Sequence, residues 1–78
     1  MTTPPANTYR MSELDEVLGD LHHVEEAEGG CLVLIDKIPV LLPVELAGKL
    51  QGLVGRRVGV LRLEGYRVRD LSEGHAAR

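Results

Sequence analysis

Polar and apolar positions alternate along most of this chain, and the alternation is broken at places that suit turns. Leu21 and Val24 flank His22 and His23 before an acidic stretch, Glu25 to Glu28, and a Gly29-Gly30 break. Cys31 to Ile35 is apolar on both parities, and after a turn at Lys37 so is Ile38 to Val44, apart from its prolines. Runs of this length and β-branched content predict strands, and apolar residues on both parities predict strands covered on both faces. Pro43 then suits the first turn of a helix, where its missing N–H costs nothing, and Leu46, Leu50 and Leu53 follow on one helical face. Gly52 and Gly55 offer left-handed exits from that helix. Beyond them Val58 and Val60 share one parity while Arg57, Gly59 and Leu61 share the other. Tyr66 and Val68 alternate with Arg67 and Arg69 across a turn at Glu64-Gly65, which predicts a hairpin carrying Arg57, Arg67 and Arg69 on one outward surface.

Upstream the pattern is helical. Leu14, Val17, Leu18 and Leu21 fall at i, i+3, i+4 and i+7, Ser12 stands at the N-cap, and Glu13, Asp15 and Glu16 occupy the first turn, where the helix dipole favours acids. A short helix over Ser12–Leu18 is therefore expected, stopped by Gly19 and followed by a long, bent first strand. Residues 1–10, with Pro4 and Pro5, read as a flexible leader, 11–72 as one domain and 73–78 as a flexible tail.

Strand, strand, strand, helix, strand, strand resembles the order of the OB-fold, a five-stranded Greek-key barrel, and the expected fold is mainly β: a small OB-like barrel with a helix between strands 3 and 4. Over Leu41 to Arg62, Pro43 opening a helix, the leucines after it, Gly55, Val58, Val60 and Arg62 are similar to TOBE barrels, OB-like modules of molybdate-binding proteins and transporter ATPases. The likeness lies in core and turn positions, so it implies the fold and carries no ligand with it.

Composition narrows the chemistry. In 78 residues there is one cysteine, so no internal disulfide can form, and no apolar run is long enough to span a membrane. With no secretory pattern at the N-terminus, a cytoplasmic protein is expected. A core this small supports stability on the order of 3–5 kcal/mol. The net charge of −3 hides an asymmetry: residues 1–36 hold one base against eight acids, and residues 37–78 hold eight bases against four acids. The two sets either face each other or leave an arginine surface for an anionic partner.

Catalysis finds no support. His22, His23 and Cys31 do not complete a zinc set, Cys31 sits in an apolar run unsuited to a nucleophile, and the glycines form no phosphate loop. No enzyme activity, metal or cofactor is expected. The leading expectation is a binding module for single-stranded nucleic acid, using Arg56, Arg57, Arg62, Arg67 and Arg69 with Tyr66 as a stacking residue. With neither Phe nor Trp, binding would be weak, sequence-tolerant and salt-dependent. The alternative is a protein-interaction or dimerising subunit that uses outward leucines, Leu32, Leu34, Leu41, Leu61 and Leu63, because alternate residues of a strand must face out. Anion binding of the TOBE kind is a third.

Overall fold

The computed structural model describes residues 3–71. Six strands form one curled sheet, half of a barrel: β1 (Tyr9–Arg10), β2 (Glu16–Ala27), β3 (Gly30–Ile35), β4 (Ile38–Leu42), β5 (Arg57–Arg62) and β6 (Tyr66–Asp70). Their order across the sheet is β1-β4-β3-β2-β5-β6. A single turn of 3-10 helix (Val44–Leu46) leads into the one short helix, α1 (Ala47–Gln51).

The twelve-residue β2 serves both halves of the sheet. Its first part pairs antiparallel with β5, from Glu16 opposite Leu61 to Asp20 opposite Arg57, and its second part pairs with β3. The register shifts between Leu21 and His23, where a bulge bends the strand from one half into the other. The inward residues Val17, Leu21, Val33, Ile35, Val40, Val58 and Val60 make one aliphatic core, with Leu50 of α1 fully buried against it. Leu46 and Leu53 pack at its margin, as the leucine spacing of that helix predicts.

Two close approaches fix the curl. An added Cβ on Gly30 would lie 2.2 Å from the Leu42 carbonyl oxygen, so β3 and β4 meet there at a distance only glycine allows. At Gly19, a Cβ would enter the carboxyl group of Asp36. That residue turns back at φ 54° between β3 and β4, donates its N–H to the Asp20 carbonyl at 2.8 Å and accepts the Asp20 N–H at 2.9 Å. The β3–β4 turn thus clasps β2 where Gly19 leaves room.

The helix expected over Ser12–Leu18 does not form. Ser12 and Asp15 instead close a turn on each other: the Ser12 N–H donates to Asp15 Oδ2 and the Asp15 N–H to the Ser12 carbonyl. Leu14 takes a left-handed φ of 75° inside it, which no helix tolerates. From Glu16 onward the chain is already β2, and five successive pairs with β5 replace the hydrogen bonds a short helix would have made. Leu14 and Leu18 stay exposed, while Val17 and Leu21 go inward.

The sheet also has six strands where five are expected. Tyr9–Arg10, in the stretch read as a leader, runs parallel to β4 with Tyr9 opposite Val40 and Arg10 opposite Leu41. The proposed tail, 73–78, lies outside the described residues. No helix among the described residues is long and apolar enough to cross a membrane.

Candidate binding groove

Strand pairing sorts the arginines before any side chain is considered. In the β5–β6 hairpin Leu61 lies opposite Arg67 and Gly59 opposite Arg69, so Arg57, Arg67 and Arg69 share the outer face. Arg62 lies opposite Tyr66 and shares the inner parity of Val58, Val60 and Val68. Arg56 precedes the strand and belongs to neither face.

Carboxylates then divide the five. Arg56 Nη1 is 2.9 Å from Asp70 Oδ2, and Arg57 Nη1 is 3.7 Å from Asp20 Oδ1. Arg62 donates to the Met11 carbonyl and holds its guanidinium 5.4 Å from the centre of the Tyr66 ring. A cation over an aromatic face at that distance contributes about 0.5–1 kcal/mol. It also occupies a face that a base would need for stacking, so Tyr66 is a half-buried ring already engaged. Arg67 donates Nε to the Leu63 carbonyl at 3.4 Å, and neither Arg67 nor Arg69 pairs with a described carboxylate.

Two clefts meet at Tyr66. The upper one, about 300 Å³, lies between the β2–β3 and β5–β6 turns and is lined by Arg10, Met11, Gly29, Leu41, Leu42, Pro43, Arg62 and Tyr66. The lower one, about 460 Å³, is lined by Lys49 of α1 and by Leu61, Tyr66, Arg67, Val68 and Arg69. Residues from both parities of β6 line it, which places it around the strand's outer edge. Neither cleft has an acidic lining residue among the described ones, although the chain carries twelve acids. Together they form a groove along β6 with five basic side chains.

Lys49 and Arg10 belong to this groove and escape a reading of the sequence. Lys49 had a signal: it immediately precedes the buried Leu50, so it flanks the leucine stripe and must lie beside whatever the stripe covers. Arg10 had none, because a two-residue strand has no periodicity.

The candidate interaction leucines of β3 alternate with buried core residues, so they stand on the outer parity of that strand. Leu32, Leu34, Leu41, Leu61 and Leu63 are all half-buried, and the exposed apolar side chains are instead Tyr9, Leu14, Leu18, Ile38, Val44 and Val54. His22 and His23 are both exposed, with His23 Nε2 2.8 Å from Glu25 Oε1. Cys31 is fully buried with Sγ 3.5 Å from the Pro43 carbonyl, and burial pushes its thiol pKa up. Among the described residues no group of three or more His, Cys, Asp or Glu side chains could hold a metal ion.

Near the groove, Tyr9 donates its hydroxyl to Asp15 Oδ2. That bond, followed by the Ser12 N–H, holds the Asp15 carboxyl below its ordinary range, and the same bond raises the Tyr9 phenol. In comparisons with family models, curated proteins and solved structures, the chain matches none.

Proposed function

We propose that the protein is a non-enzymatic binding module on an OB-like barrel, and that the upper cleft takes single-stranded nucleic acid. The assignment to the OB type rests on element order, on the long bent strand shared by two half-sheets and on the helix between the third and fourth long strands. OB barrels take ligands on the face of their second and third strands, between the first and fourth connecting loops. Here those are β3 and β4, the β2–β3 turn and the β5–β6 turn. The observation that carries the reading is that Arg10, Arg62 and Tyr66 converge at the β4 end of this face, beside Gly29 of the β2–β3 turn, with no described acid among them.

Phosphate contacts dominate such a site, because Arg62 already covers the one available ring. Each phosphate neutralised on a single strand contributes about 0.7 to the slope of log affinity against log salt, so two arginines give a slope of about −1.4. Fluorescence anisotropy of labelled mixed-sequence DNA and RNA single strands tests this across a salt series. The expected result is weak binding at low salt that falls with that slope. Arg10→Ala, at an exposed position that carries no core packing, lowers both affinity and slope. Absence of binding at low salt, or an unchanged slope in the variant, overturns the assignment.

A further inference from the structure

The lower cleft differs from the upper in what its backbone offers. β6 ends the sheet, and no described strand lies beyond it. Its pairing with β5 determines which groups face outward. The Leu71 N–H donates to the Arg57 carbonyl at 2.8 Å, so the ladder uses alternate residues, and Arg67 and Arg69 bond toward β5. Arg62 of β5 agrees with this phase: its N–H donates to the Asp15 carbonyl and its own carbonyl accepts the Leu14 N–H, both away from β6. The N–H and C=O groups of Tyr66 and Val68 therefore point out of the sheet, into the lower cleft.

Side chains flank that edge in a fixed pattern. Tyr66 and Val68 pack on the core side, Arg67 and Arg69 stand on the outer side, and Lys49 lies across the cleft. We propose that β6 binds an acidic, extended polypeptide segment as an added antiparallel strand. Its carboxylates lie opposite Arg67 and Arg69, and its apolar residues lie opposite Tyr66 and Val68. Main-chain bonds to the edge supply affinity, and the alternation of acid and apolar side chains supplies selection.

A second copy of this chain is disfavoured at this edge in the register centred on Val68. Antiparallel pairing of two β6 strands centred on Val68 sets Arg67 of each copy against Arg69 of the other, and like charges directly opposite are destabilising. The same arginines thus disfavour self-pairing and favour an acidic strand.

The probe is a fluorescein-labelled peptide of about nine residues alternating glutamate and valine, matched to the length of a short strand and its flanks. Two further peptides carry N-methyl groups, one on the valines and one on the glutamates. In the proposed pairing the valine N–H groups bond to β6 and the glutamate N–H groups face away. Methylated valines therefore weaken binding about tenfold or more, the worth of one or two hydrogen bonds, whereas methylated glutamates stay within about twofold of the parent. Val68→Pro removes an outward N–H without touching the β5 ladder and reduces binding while the protein still melts cooperatively. Equal binding of the two methylated peptides overturns strand addition. Failure of the parent peptide to bind at low salt also overturns it, including the case where oligonucleotides bind instead through Arg67 and Arg69. The upper-cleft reading is decided separately by Arg10→Ala.

Discussion

The two margins of the sheet are built differently. At one, β4 is covered by the short parallel β1, and β3 and β4 are locked together by backbone contact at Gly30. At the other, β6 ends the sheet uncovered among the described residues, and the close approach next to it, at Gly59 of β5, is to the tip of the Leu18 side chain. Arginines stand along the uncovered margin, and an apolar strand, Ile38–Leu42, lies beneath the covered one. An exposed strand edge is a template for pairing, and proteins either cover it or flank it with charge. This chain does each once, and the charged margin is the one left available for selective pairing.

Glycine substitutions give the widest separation between the margins. Gly30→Ala drives a Cβ into the Leu42 carbonyl, which cannot move without breaking the β3–β4 ladder. A loss on the order of 3 kcal/mol is expected. That approaches the whole stability of a domain this size, so thermal unfolding monitored by circular dichroism should show little or no cooperative transition. Gly59→Ala meets Leu18 Cδ2 at 2.7 Å, the end of a half-exposed side chain that can swing into solvent. Its expected cost is about 1 kcal/mol, and a larger loss than for Gly30→Ala would erase the contrast.

Proline scanning of β6 sharpens the comparison within one strand. Arg69→Pro deletes an N–H that bonds to β5 and should cost about 3 kcal/mol, whereas Val68→Pro deletes one that faces the free edge and should cost about half as much, mainly in lost packing. Chemical denaturation of both variants measures the difference, and equal costs would mean that the phase of the ladder is misassigned.

The smallest effect belongs to the turn that replaced the expected helix. Tyr9→Phe removes the main cause of the lowered Asp15 pKa, so the carboxyl should titrate closer to its ordinary value of 3.8 by NMR. A carboxylate whose folded pKa is depressed stabilises the fold above its unfolded value and loses that contribution as pH falls through the lower, folded one. The wild type should therefore hold its 12–15 turn to lower pH than the variant, as a change in the Ser12 amide shift would register.

β5, β6 and the central helix were legible because each carried one periodicity, and β3 and β4 because their short apolar runs are bounded by turn residues. The failure at Ser12–Leu18 has a specific cause. A spacing of four residues satisfies both a helix and a strand, so Val17 and Leu21 fit either, and the residue that would reveal the alternation is Gly19, inward-facing but without a side chain. The common face of Arg57, Arg67 and Arg69 was also legible, since alternation in a hairpin fixes parity. Which arginines are neutralised was not. Asp20 reaches Arg57 only because β2 bends back to pair with β5, and that is a property of the assembled sheet.

The doubled duty of β2 has a kinetic consequence. Its pairing with β3, and that of β5 with β6, joins neighbours across short turns and can form on the microsecond scale of hairpins. Its pairing with β5 joins Glu16 to Leu61 and must close a loop holding the whole first half-sheet and α1. Two quickly formed pieces thus wait on one slow meeting along a single strand. The bulge after Leu21 is the seam at which the early piece receives the late one.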